Sequence, residues 1–204
     1  MAPVVIKLGG SFAFTEVLAD WVRALASCAG GVVVVPGGGP FADAVRYAQS
    51  RMGFDDGAAH HMSLLAMEQY GRALISLSDL LFPADTIEVI ERRLSAERVP
   101  VWMPVRMVSE AAEIAPSWKV TSDSLAAWLC GMIGAKRLIL VKHVGLLSGL
   151  ERCEDLVTMG LVDEAFPQYL RMGSTSASIV GPKEHEAVAA AIHCGSSAGF
   201  SIKW

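Results

Sequence analysis

Val4-Val5-Ile6-Lys7-Leu8-Gly9-Gly10-Ser11 is the stretch on which the fold of this 204-residue chain turns. Val4, Val5, Ile6 and Leu8 are large and apolar, as in a strand buried on both faces. Lys7 interrupts them with an ammonium group, and a buried unpaired charge is costly. Two glycines and a serine follow, where backbone can turn tightly and present N–H groups to an anion. An apolar strand with a lysine and a glycine turn at its carboxyl end suits a phosphate. The same pattern also suits a lysine whose stem packs while its head reaches solvent.

Reading outward, Thr15 to Ser27 carries Val17, Leu18, Trp21, Val22 and Leu25 at helical spacing. A second apolar strand, Val32 to Val35, runs into Pro36-Gly37-Gly38-Gly39-Pro40, and a helix is expected from about Phe41 to Arg51. Strand, glycine turn, helix, repeated, is the rhythm of a parallel α/β sheet. Such sheets bind ligands at the carboxyl ends of their strands, where both glycine turns fall.

Further along, helices are expected over Ala58 to Leu77 and Thr86 to Ala96, with Pro83 breaking the chain between them. Val99 to Trp102 reads as a strand that Pro100 confines to an edge or a strand start. Residues 103–116 read as irregular with one turn of helix. Thr121 or Ser122 is expected to cap a helix to Ile133. A third apolar strand, Leu138 to Val141, ends in Lys142. A short helix (Val162 to Arg171), a strand (Ser178 to Val180), a helix (Lys183 to Ala191) and a last strand (Phe200 to Lys203) complete a single domain over residues 1–204.

Apolar residues form 52% of the chain and charged ones 19%, which implies a packed core with little disorder. A formal net charge of -4 without a basic run gives no case for nucleic acid or a membrane surface. No apolar run approaches a spanning helix and no secretory signal is visible, so a cytoplasmic protein is expected. Cys28, Cys130, Cys153 and Cys194 are scattered, read as reduced thiols, and imply no metal site.

Four features therefore converge on one sheet edge: Lys7 with Gly9-Gly10-Ser11, Gly37-Gly38-Gly39, Thr121-Ser122-Asp123-Ser124, and Lys142. Phosphoryl transfer needs cations and backbone donors around a polyphosphate, and something to hold the cations still. Asp123 also suits a first-turn acid on the helix dipole, and the triple glycine a plain turn. Gly37-Gly38-Gly39-Pro40-Phe41-Ala42 satisfies the dinucleotide fingerprint, but no strand fits before the acids Asp55 and Asp56. A Walker phosphate loop is absent as well.

These segments, in this order and over most of the chain, resemble the amino acid kinase superfamily. The resemblance implies a three-layer αβα sandwich with a mainly parallel central sheet, ATP with Mg2+, a small-molecule acceptor, and a homodimer or higher homo-oligomer. It implies that Lys7 bridges the transferring phosphoryl, that Gly9, Gly10, Gly37, Gly38 and Gly39 donate backbone N–H groups, and that Asp123 orients lysines. His60-His61-Met62, Ala66 to Gly71 and Trp118 to Ser124 resemble the branch that phosphorylates (aminomethyl)furanylmethyl phosphate to the diphosphate in methanofuran biosynthesis.

Carried onto this chain, the expected catalytic set is Lys7, Asp123 and Lys142. Nucleotide phosphate contacts fall to Gly9, Gly10, Ser11, Thr121, Ser122, Lys142, His143 and Val144. Acceptor contacts fall to Gly37, Gly38, Gly39, His60 and Arg46, with the divalent ion held by phosphate and water. Two departures stand out. The superfamily's nucleotide loop reads Thr-Asp-Val-Asp-Gly where this chain has Lys142-His143-Val144-Gly145-Leu146, and its later Gly-Gly-Met segment with a second lysine is not found between Glu151 and Gly173. Lys142 is the candidate replacement. Rival readings are an amino acid kinase making acyl phosphates, an isopentenyl phosphate or nucleoside monophosphate kinase, and a non-catalytic oxyanion-binding relative.

Overall fold

The structure, a computed structural model, describes residues 2–143 and 152–203. In chain order, the first half runs β1 (Val4–Leu8), α1 (Val17–Ser27), β2 (Val32–Pro36), α2 (Gly39–Met52), α3 (Asp56–Ile75), β3 (Leu81–Ala84), α4 (Ile87–Ser95) and β4 (Val99–Trp102). The second half runs α5 (Val105–Ser109), α6 (Ser122–Ile133), β5 (Arg137–Val141), α7 (Cys153–Thr158), α8 (Phe166–Gly173), β6 (Ser176–Val180), α9 (His185–His193) and β7 (Phe200–Ser201).

Among the described residues the strands form one seven-stranded sheet in the order β3-β4-β2-β1-β5-β6-β7. Every pairing is parallel except β6 with β7. Strand β1 is the central one, and its five residues are all buried. Lys7 is in register with Val35 of β2 and Leu140 of β5. Because strand side chains alternate, Val5 and Lys7 share one face and Val4, Ile6 and Leu8 the other.

Val4, Ile6 and Leu8 pack with Trp21, Val22 and Leu25 of α1 and Val188 of α9. On the opposite face, Val5, Val33 and Val35 pack with Leu125 and Leu129 of α6, Phe166 and Leu170 of α8, and Ile90 of α4. Helices thus cover both faces of the sheet, giving the three-layer αβα sandwich. The helix after β1 covers one face and those after β5 the other. The strand order therefore reverses between β1 and β5, where α/β sheets open a crevice. Lys7 and Lys142 lie at that reversal. Among the described residues no helix is long and apolar enough to cross a membrane.

At three places the structure narrows, corrects or adds to the local expectations. Pro83 does not merely break the chain: Leu81–Ala84 forms β3, an edge strand, which tolerates a residue without an N–H. Strand β4 is interior, between β3 and β2, and Pro100 is accommodated near its start. Helix α7 is only six residues long, with Cys153 and Leu156 buried and Val157 packed beside them, too short for periodicity to mark it in the sequence.

The two glycine turns meet backbone to backbone. A Cβ on Gly10 would lie 2.1 Å from the Gly39 nitrogen and 2.3 Å from its Cα, and one on Gly37 would lie 2.5 Å from the Gly10 nitrogen. Only residues without side chains allow that approach. Gly10→Ala is therefore expected to force the turns apart and destabilise the fold by about 1–3 kcal/mol, the scale for overpacking. Urea unfolding checks this. An unchanged midpoint would mean that the turns are not in contact.

Candidate active site

At the carboxyl end of β1, Lys7 is only 5% exposed, although its strand neighbours offer it no polar partner. Its partner comes from α6, which crosses above. Lys7 Nζ lies 3.0 Å from Asp123 Oδ1, an ion pair off the line of a hydrogen bond. Lys142, at the end of β5, donates a hydrogen bond of 2.6 Å to Asp123 Oδ2. One buried carboxylate thus stands between two ammonium groups.

The electrostatics follow. Burial pulls the Lys7 pKa down from 10.5 to about 8; the Asp123 charge opposes the fall and the Lys142 charge adds to it. Burial alone would push the Asp123 carboxyl up, but Lys142 and Lys7 outweigh it and its pKa is lowered. Asp123 is therefore ionised at neutral pH. Two ammonium groups share the one carboxylate they touch, which leaves donors for an incoming anion.

A residue the sequence reading did not single out fixes this arrangement. Thr121 takes the N-cap position of α6, but its side chain does not cap the helix. Asp163, just before α8, does so from across the fold. It accepts hydrogen bonds from the Thr121 backbone N–H (3.0 Å) and hydroxyl (2.7 Å), from the Ser124 backbone N–H (3.1 Å), and from the Ser124 hydroxyl. Its pKa is raised by burial first and then by the Asp123 charge. A cap reaching from Asp163 to residues 121–124 leaves no local signature such as a capping box.

A cavity of about 220 Å³ opens beside the cluster. It brings together Lys7, Asp123, Lys142, Thr121, Ser122, Gly38, His60 and Arg46 of the expected site residues. Gly9, Gly10, Ser11, Gly37, Gly39 and His143 do not line it. The Gly9 and Gly37 N–H groups donate to the carbonyls of Val141 and Leu8. Ser11 is exposed, and His143 stacks on Phe12 with ring centroids 5.7 Å apart. Val144 lies outside the described residues, as does the rest of the expected nucleotide loop.

Helix α2 begins at the cavity, with Gly38 as its N-cap, so its positive end faces the space. His60, one turn into α3, bonds to the Ser117 backbone, yet burial still draws its pKa down, with the His61 charge helping. Arg46 stacks on Trp118, 4.4 Å from the ring centroid, and pairs with Asp43 at 3.0 Å. Both Asp123 oxygens face lysines and Asp163 holds the α6 terminus. Among the described residues no three His, Cys, Asp or Glu side chains gather as metal ligands.

The chain is similar to known proteins. Residues 2–155 match the model of the amino acid kinase family. The chain is 23% identical over 197 residues, 90% of each protein, to the [5-(aminomethyl)furan-3-yl]methyl phosphate kinase of Methanocaldococcus jannaschii. In fold it is similar to uridylate kinase from Archaeoglobus fulgidus, with a TM-score of 0.73, 20% identity and coverage of 98% of this chain and 100% of that one. It is also similar to UMP kinase from Ureaplasma parvum, with a TM-score of 0.65, 14% identity and coverage of 88% and 89%. The family match takes in β1, both glycine turns, the start of α6 and the end of β5, so the chain that builds this lysine–aspartate–lysine cluster belongs to the amino acid kinase family.

Proposed function

We propose that this kinase transfers the γ-phosphoryl group of ATP to a phosphate oxygen of a small phosphate monoester. (Aminomethyl)furanylmethyl phosphate is the acceptor favoured by the likeness to the Methanocaldococcus jannaschii enzyme. The observation that carries the reading is the Asp123 carboxylate bridging Lys7 and Lys142 at the sheet's reversal point. Phosphoryl transfer spreads charge over the oxygens of the moving group, and fixed cations are what the reaction asks of a protein.

In this reading Lys7 and Lys142 flank the transferring group, and Asp123 fixes the spacing of their ammonium groups. An acceptor phosphate oxygen attacks the γ-phosphorus, the bond to the ADP oxygen breaks, and ADP leaves with that electron pair. Gly38 with the α2 terminus holds phosphate oxygens, and His60 and Arg46 hold the acceptor. A divalent ion arriving with the nucleotide phosphates would offset charge there. Lys142 takes the part of the second lysine of the Gly-Gly-Met segment, which is not found between Glu151 and Gly173.

Lys7→Ala is expected to lower turnover about a hundredfold or more, the scale for losing one preorganised donor, in a protein that stays folded. Lys142→Met and Asp123→Asn are expected to be non-additive, since groups acting as a unit share one loss. Steady-state kinetics of both single variants and the double decide this: effects that simply multiply would separate Lys142 from the cluster.

Because the Lys7 pKa is about 8, kcat/KM should fall above that pH as the ammonium loses its proton. Bound phosphates favour the charged form, so the kcat profile should break at higher pH. Stability has the opposite slope: between about 8 and 10.5 the unfolded chain holds a proton that folded Lys7 has released, so stability rises with pH. Parallel pH–rate and pH–unfolding series test both signs.

Acyl phosphates react with hydroxylamine and phosphoanhydrides do not. With ATP and a phosphate monoester, ADP release without hydroxamate is expected. Hydroxamate formed from an amino acid as fast as ADP appears would overturn the phosphate-acceptor reading.

A further inference from the structure

The loop between α5 and α6 crosses the cavity as a pinned wall. At its centre the Trp118 indole N–H donates to Gln49 Oε1 at 2.7 Å. The Gln49 amide in turn donates to Asp56 Oδ1 at 2.9 Å and to the Phe54 carbonyl at 3.2 Å, which ties α2 to the start of α3. Arg46 lies over the indole face, and His60 bonds to the Ser117 backbone next door. Past Trp118, Lys119 pairs with Glu164 at 2.9 Å and its carbonyl accepts from the Ala165 N–H. An aromatic ring held on both sides of the loop is a fixed boundary.

The space it bounds has two characters. Leu64, Met67, Val120 and Leu125 are buried and give it an apolar floor, while Lys7, Lys142, Arg46 and His60 give it cations and an imidazole. Its single described carboxylate, Asp123, is already bound to both lysines. A volume of about 220 Å³ falls below the roughly 300–1,000 Å³ of sites for drug-sized ligands. An ammonium group buried there would meet like charges and, among the described residues, no unspent acid.

Resting on the phosphate-acceptor reading, we propose that Trp118 is the specificity-determining wall of the acceptor site. The site takes a phosphate monoester of a small apolar or aromatic alcohol. It reads the phosphate and the ring only, and an amine on the ring projects from the mouth unread. The amine of a furan acceptor is then a handle for some other enzyme, and nucleoside monophosphates are rejected by size.

The test follows ADP release from ATP with four acceptors: furan-3-ylmethyl phosphate, its 5-aminomethyl derivative, benzyl phosphate and uridine monophosphate. The wild-type protein is expected to use the two furans with kcat/KM values within about fivefold of each other. Uridine monophosphate should be worse by about a hundredfold or more, as for a ligand that meets a wall. Trp118→Ala should raise KM for the furans by about tenfold, the loss of one good aromatic contact, with a smaller loss in kcat, and should narrow the gap to the nucleotide. Trp118→Phe should keep the discrimination against the nucleotide, because ring bulk remains.

Equal use of uridine monophosphate by the wild type would overturn the proposal. So would a hundredfold dependence on the amine, or an unchanged selectivity ratio in a folded Trp118→Ala protein. The wild-type panel decides the first two even if that variant fails to fold. ADP release with none of the four acceptors would bring down the phosphate-acceptor reading and this inference with it, whereas release with the wrong preference brings down the inference alone.

Discussion

The cluster depends on one contact set: the Asp123 carboxylate shared between the ammonium groups of Lys7 and Lys142. Burying two cations with one anion is unfavourable for stability, since desolvation exceeds what a single counter-charge returns. The depressed pKa of Lys7 records that strain. An arrangement that is under-neutralised when empty is best satisfied by an anion. The protein carries this cost in its resting fold, so little reorganisation remains when charge develops on a bound phosphoryl group.

The rest of the fold serves to hold those three residues. Two lysines end neighbouring parallel strands, so sheet register fixes their separation. The carboxylate rides on a helix crossing the same strand ends, and Asp163 anchors that helix terminus from the segment before α8. The glycine turns, pressed together without side chains between them, let the start of α2 reach the same edge. Each part is ordinary α/β chemistry, and the function lies in where the parts meet.

What could be read from sequence was what is local in the chain. A lysine inside an apolar strand run, a glycine turn directly after a strand, and an acid in the first turn of a helix all lie within a few residues of one another. These pointed to the parallel sheet, its carboxyl edge and the members of the cluster, while the strand order and its reversal point came from the structure. Long-range contacts left no trace. Asp163 caps a helix that begins some forty positions earlier. Trp118 opens a segment that the family resemblance marks, but its contacts with Gln49 and Arg46 appear only in the structure. Leu81–Ala84 is too short, and too interrupted by proline, for periodicity to speak.

The central position of β1 has a consequence for how the chain comes together. This strand is synthesised long before one of its two neighbours, β5, which begins only at Arg137. Until then β1 is an open edge of Val, Ile and Leu, the kind of segment that recruits a second copy and seeds aggregation. Parallel pairing of distant segments is slow, which lengthens the exposure. A charge in the middle of such a run is the ordinary safeguard against intermolecular pairing. Lys7 therefore guards the nascent strand before it has Asp123 or Lys142 to work with, and that protection ends when α6 and β5 close over it.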